Sequence, residues 1–167
     1  MKPFVVMTML IGLTGCVTLS PAQQAVLCED ISLAMREPPE ALRHFAETGQ
    51  GHAELAYAIV LRYGLNGVTP DAAMAADYRA RATAPRNSST TYVWIAAIKK
   101  MPGHIMPVTT YSYDVEPVAG KAVEDCAAAL AGAVPQAALD ARLAGGLCGG
   151  PDNYQRLQSE WRSVAPH

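Results

Sequence analysis

The residues of this 167-residue chain with the means to do chemistry are four cysteines, four histidines and three regularly spaced glutamates. A thiol serves as nucleophile, metal ligand or half of a disulfide according to its surroundings. Cys16 stands apart, because it closes the tetrapeptide Leu13-Thr14-Gly15-Cys16 directly behind the apolar run from Phe4 to Leu13. Cys28, Cys126 and Cys148 remain, which allows three pairings and leaves one thiol over. Cys126 with Cys148 is the favoured pair: both lie in the C-terminal helical segment, and Gly145-Gly146 and Gly149-Gly150 supply a turn around the second. Cys28 with either partner would instead staple the first helix to the end of the chain. No C-x-x-C and no neighbouring His accompanies any of the three, so a disulfide is preferred to a metal site.

Catalysis needs a nucleophile, acid or base held in a shaped site. His44, His52, His104 and His167 sit in unrelated contexts, and no Ser or Cys has a nucleophile elbow around it. Glu40, Glu47 and Glu54 recur every seven residues, as if on one helix face. Paired carboxylates there could work as acid and base, but a solvated face is the simpler use of the pattern. His44 and Glu47, three residues apart, could hold a metal; a surface pair is again the simpler reading. No catalytic residue, metal ligand or cofactor is assigned, and the chain reads as a non-enzyme. The candidate contact residues for a ligand or partner are Tyr111, Tyr113 and His104, with Met106. They lie in the Met101 to Pro117 segment, which is expected to be irregular because Pro102, Gly103, Pro107 and Pro117 interrupt any helix. The alternative is a loop packed over the helices.

The elements that must carry these residues read as an all-α chain. Val26, Leu27, Ile31, Ala34 and Met35 suggest a helix from Pro21 to Met35, stopped by Glu37-Pro38-Pro39. A short helix from Pro39 to Glu47 follows, then Gly49-Gln50-Gly51. In the stretch from His52 to Ala84, Leu55, Ala56, Ile59, Val60 and Tyr63 recur at steps of three and four, which places them along one helix side. Gly64 suits a left-handed C-terminal cap. Thr69 is expected as N-cap of the next helix, with Pro70 in its first position and Asp71 complementing the helix dipole. Ala75, Tyr78 and Ala82 line the inner side of that helix, so the two runs fold back on each other. Thr91 to Met101 is expected to be helical, with Trp94 in the core or lining a groove. Val108 to Tyr113 has strand-like residues without an obvious partner. Helices are expected again over Val118 to Leu130, Pro135 to Leu143 and from Pro151 onward.

Gly67, Val68, Asp71, Ala75, Tyr78, Arg81 and Ala82 spell GV-x-x-D-x-x-x-A-x-x-Y-x-x-R-A, which resembles the second half of a Sel-one-like repeat, a relative of the tetratricopeptide repeats. In the turn between helices this chain has Gly64-Leu65-Asn66-Gly67-Val68, one residue differently spaced from the family's Gly-x-Gly-Val. Ala41 to Gly49 is similar to the tail of a preceding repeat, so about one and a half units of roughly 34 to 40 residues are visible. The resemblance implies α/α helical-repeat hairpins that dock a protein or peptide partner.

The amino terminus resembles a bacterial lipoprotein signal. Lys2 supplies a short positive region, the apolar run is too short for a transmembrane helix, and Leu13-Thr14-Gly15-Cys16 matches the processing motif. The resemblance implies that Cys16 is acylated with palmitate-like chains, that residues 1–15 are removed, and that Cys16 begins the mature protein. Val17 rather than Asp after the cysteine implies sorting to the outer membrane, with the protein on its periplasmic face. Residues 16–24 read as a tether and 25–167 as one helical domain. Without Lys2, 12 Lys and Arg face 15 Asp and Glu, a net of about −3 with no basic stripe, so nucleic acid is not an expected partner. Two functions follow: a lipid-anchored helical-repeat adaptor, or a small envelope enzyme acting on peptidoglycan or another envelope substrate, with its catalytic group in the Met101 to Pro117 segment.

Overall fold

The computed structural model describes residues 21–97 and 102–166, and the side chains of residues 21–28, Cys28 among them, lie outside it. The expected signal, the acylation site Cys16 and the start of the tether also fall outside the described residues. Four helices come first: α1 (Pro21–Arg36), α2 (Pro39–Glu47), α3 (Gly51–Tyr63) and α4 (Ala72–Ala82). A hairpin of β1 (Asn87–Ile95) and β2 (His104–Ser112) interrupts them, and α5 (Pro117–Leu130), α6 (Gln136–Ala144) and α7 (Pro151–Val164) complete the order. The helix α1 starts at Pro21 and so takes over the last four residues read as tether.

The central helix is α3, whose residues from Ala53 to Leu61 are all buried. It packs against α1, α2, α4 and α5. Gly64 ends it in the left-handed conformation, φ 67° and ψ 32°, and Asn66 takes a second left-handed step at φ 55°. The Asn66 amide donates to the Ala34 carbonyl at 3.2 Å, which ties this turn to α1. The chain then doubles back, and the Asp71 N–H donates to the Leu61 carbonyl at 2.9 Å. Asp71, rather than Thr69, caps α4: its carboxylate accepts from the Met74 N–H at 2.9 Å. The cap thus falls two residues later than expected, because a carboxylate accepts this bond better than a hydroxyl does. Ala75, Tyr78 and Ala82 are buried against α3, with Tyr57 and Tyr78 edge to face at 4.9 Å between ring centres. Residues 53–84 are a paired-helix hairpin, as the spacing required.

The middle of the chain departs from an all-α fold. Instead of a helix over Thr91 to Met101 and an irregular segment after it, residues 87–95 and 104–112 pair as two antiparallel strands, with Asn87 opposite Ser112 and Ile95 opposite His104. Thr90-Thr91-Tyr92-Val93-Trp94-Ile95 is β-branched or aromatic throughout, a composition that loses side-chain freedom in a helix and packs well on a pleated strand. Trp94 is accordingly on the surface and not in the core: it is 64% exposed.

The C-terminal helices close the core around Val123, Leu130, Leu139, Leu157 and Trp161. Cys126 in α5 bonds to Cys148 in the turn before α7, with Cα atoms 5.1 Å apart. Cys148 itself is left-handed, φ 55°. Tyr63 and Trp161 stack edge to face at 5.4 Å and join α3 to α7. Among the described residues no helix is long and apolar enough to cross a membrane.

Candidate functional site

The paired helices leave an open groove where α3, α4 and α5 meet. Leu55, Ala58 and Ile59 of α3 and Ala72, Ala75 and Ala76 of α4 form its floor, and the volume is about 270 Å³. So many small side chains let the helix axes approach while leaving space above them. Arg62, Arg79 and Glu124 stand at the rim. The Arg79 Nε and Glu124 Oε1 atoms are 2.7 Å apart, a partly exposed pair that links α4 to α5. Two guanidinium groups against one carboxylate leave the rim with an excess of positive charge, which suits an acidic or carboxylate-bearing segment laid on an apolar floor.

The second unusual surface is the hairpin. Its strands pack extensively only on each other, and every residue from Asn87 to Ser112 that is described is exposed except Ile95 and Gly103, which are half-buried. Ser89 and Thr110 share a hydrogen bond at 2.9 Å, and Thr90 and Thr109 another at 3.2 Å, so the half near the helices is polar. The far half carries Tyr92, Val93, Trp94, Ile105 and Met106, all exposed. Trp94 lies over Gly103, where an added Cβ would come within 2.4 Å of the indole.

An ion cluster built on one buried carboxylate fastens the hairpin to the helices. Glu54, with a side chain only 3% exposed, accepts from Arg86 Nη2 at 2.8 Å. The same nitrogen donates to the Gly49 carbonyl at 2.9 Å, and Arg86 Nε donates to Asp114 at 2.8 Å. Burial works against the Arg86 charge, but its hydrogen bonds to Glu54 and Asp114 outweigh that and hold its pKa above the ordinary arginine range. Gly51 is required beside this cluster, since a Cβ there would lie 2.6 Å from that of Asp114.

Asp30 is the second buried carboxylate among the described residues. Its Oδ1 lies 2.8 Å from His52 Nδ1, stitching α1 to the first turn of α3, and its side chain is 4% exposed. Burial pushes the Asp30 carboxyl from 3.8 up to about 6, with His52 partly opposing the rise.

The residues singled out in the sequence are dispersed by this geometry. His104 sits at the far end of β2, and Tyr111 near the base, on the opposite face by strand alternation. Tyr113 is half-buried beyond the end of β2. The three do not form one contact set. Glu40, Glu47 and Glu54 share no face, because the chain turns at Gly49, φ 82°, between α2 and α3. Glu47 pairs with Arg43 at 2.7 Å, His44 is exposed beside the Phe45 ring, and among the described residues no group of three or more His, Cys, Asp or Glu could hold a metal ion. Sequence reasoning missed Asp30 and the Glu54–Arg86 pair. The available signal was an acidic residue inside an otherwise apolar helical run, as with Glu54 between Ala53 and Leu55.

Set against known protein families, curated proteins and solved structures, the chain matches none.

Proposed function

We infer that this is a lipid-anchored cell-envelope protein whose Sel-one-like helix pair serves as a docking module for a protein or peptide partner. The observation that carries the reading is the groove over α3, α4 and α5, with its alanine floor and its arginine-rich rim. A short segment with small apolar side chains and an acidic group, such as a C-terminal carboxylate, fits that combination in shape and charge. The Cys126–Cys148 disulfide is consistent with an oxidising compartment such as the periplasm. Acylation of Cys16 would hold the domain at the outer membrane.

The test places a photo-crosslinking amino acid at Ala76 on the groove floor, and in a second variant at Ala80, an exposed position on the same helix. The expected outcome is a discrete adduct in envelopes from the Ala76 variant alone, lost when Arg62 and Arg79 are both replaced by Glu. Identical adducts from both positions would refute a docking role for the groove.

The alternative reading, an envelope enzyme acting on peptidoglycan, draws support from Asp30 and His52 rather than from the Met101 to Pro117 segment. A carboxyl with a raised pKa beside an imidazole is a common acid–base arrangement. A complete loss of a hydrolytic activity on Asp30→Asn, in protein that remains folded, would favour that reading.

A further inference from the structure

The far half of the hairpin is mainly apolar on both faces. By strand alternation Tyr92, Trp94, Ile105 and Pro107 share one face, and Val93, Ile95 and Met106 the other, with His104 at its end. The near half is richer in hydroxyl and amide groups, with Ser88, Thr90 and Thr109 beside Tyr111 on the first face and Asn87, Ser89, Thr91, Thr110 and Ser112 beside Val108 on the second. Strand addition covers only an edge of a hairpin and leaves both faces open, whereas an apolar medium entered end-on covers both.

The charge pattern agrees. The strands themselves carry no Lys, Arg, Asp or Glu, although such residues commonly protect exposed strand edges from pairing; the sequence between them carries Lys99 and Lys100, cations that suit anionic lipid headgroups. Trp94 and Tyr92, 64% and 72% exposed, are the residue types that concentrate at membrane interfaces, where a ring meets the acyl boundary and a polar atom meets water.

Position decides between a membrane and any other apolar surroundings. Asp30 of α1 meets His52 in the first turn of α3, whereas Ala34 and Met35 of α1 face Asn66 beyond the last turn of α3. The two helices therefore run the same way, and α1 begins at the end of the bundle where α3 begins. The hairpin is fastened to that same end, through Arg86 to Gly49 and Glu54. Cys16 precedes Pro21 by five residues, a reach of at most about 18 Å. Lipid on Cys16 would thus bring a bilayer to the end of the molecule from which the hairpin projects.

We propose that residues Tyr92–Ile95 and His104–Pro107 seat in the interfacial layer of a phospholipid membrane, as a second attachment beside the acylated amino terminus. Insertion is shallow. The outer edges of a lone two-stranded hairpin keep unpaired N–H and C=O groups that hydrocarbon would leave unsatisfied, whereas the headgroup layer still supplies water to them. The acylated cysteine and the hairpin then fix the domain's orientation, which one flexible tether cannot do. This rests in part on the lipid-anchor reading, so the test separates the two.

Mature protein with Cys16→Ser, and so without lipid, is mixed with vesicles of phosphatidylethanolamine and phosphatidylglycerol. Trp94 emission is followed, and flotation is measured in parallel; the other tryptophan, Trp161, is buried in the core. Expected are co-flotation and a blue shift, both weakened about tenfold or more by Ile105→Ser with Met106→Ser, since each exposed side chain loses most of its apolar transfer free energy. Those side chains are exposed, and an unchanged far-ultraviolet spectrum confirms that the variant is folded. Absence of flotation, or a blue shift that appears without vesicles as the protein self-associates, overturns the proposal, the latter in favour of a second copy as occupant. Fractionation of cells that express acylated or Cys16→Ser protein decides the anchor separately, because the vesicle arm contains no lipid-modified chain.

Discussion

At the scale of single residues, charges buried among apolar neighbours do most of the joining. Glu54 would be costly inside α3 without a partner; Arg81 of α4 lies 3.7 Å from it, and Arg86, just before β1, makes the closer contact at 2.8 Å, which forms only when the hairpin base is docked. Asp30 is the clearest case with a measurable consequence. Its folded-state pKa, raised to about 6 by burial, means that the native protein holds this proton more tightly than the unfolded chain. Stability from this group is fully present below the unfolded value near 3.8 and is lost as pH rises through about 6. The cost at neutral pH is on the order of 3 kcal/mol at most. Asp30→Asn, which cannot ionise, should therefore flatten the fall in Tm expected of the native sequence between about pH 4 and pH 6.5. Thermal melts across that range check it, and parallel curves for the two proteins would refute it.

At the scale of elements, the disulfide acts on α5 and on the turn that launches α7. Cys126 and Cys148 are 22 residues apart in sequence and enclose α6. A closed loop of that size restricts the unfolded chain by about 3 kcal/mol on the loop-entropy estimate. Replacing both cysteines by serine should lower Tm by roughly 10 °C. The change should concentrate in α6, which packs less widely than α3. Hydrogen exchange of amides in Gln136–Ala144 tests that part, and uniform loss of protection over the whole domain would contradict it. The paired helices α3 and α4, by contrast, draw their stability from buried alanines and tyrosines and carry no cross-link.

At the scale of the whole molecule, helices and hairpin are separate in energy although joined in sequence. The strands pack mainly on each other, and Asn87 and Ser112 are direct partners across the ladder. Residues 88–111 can therefore be replaced by a short Gly-Ser link while Arg86 and Asp114 are kept. The expected Tm of this shortened protein lies within about 2 °C of the parent, since surface changes away from packed features alter stability by about 0.5 kcal/mol. A fall much larger than that would show that the hairpin contributes to the core. If the bundle is undisturbed, the hairpin is an appendage whose exposed apolar side chains stabilise nothing in the isolated chain, and its value lies in what it meets.

Sequence alone determined the parts that depend on local chemistry. The helix pair around Gly64 was legible because a left-handed glycine and apolar steps of three and four are written within a few residues of one another. The disulfide was legible from two cysteines in one helical segment with a glycine-rich turn, although Cys28 remained a formal rival. Tertiary structure alone decided the rest. A strand exists only with a partner, and β1 and β2 find each other across residues that, read singly, suggest a helix and an irregular loop. The Asp30–His52 contact and the Glu54–Arg86 pair join residues 22 and 32 positions apart, and no local pattern encodes which buried charge will meet which. Separation along the chain hides such contacts, and only the folding of the helices brings them within hydrogen-bonding distance.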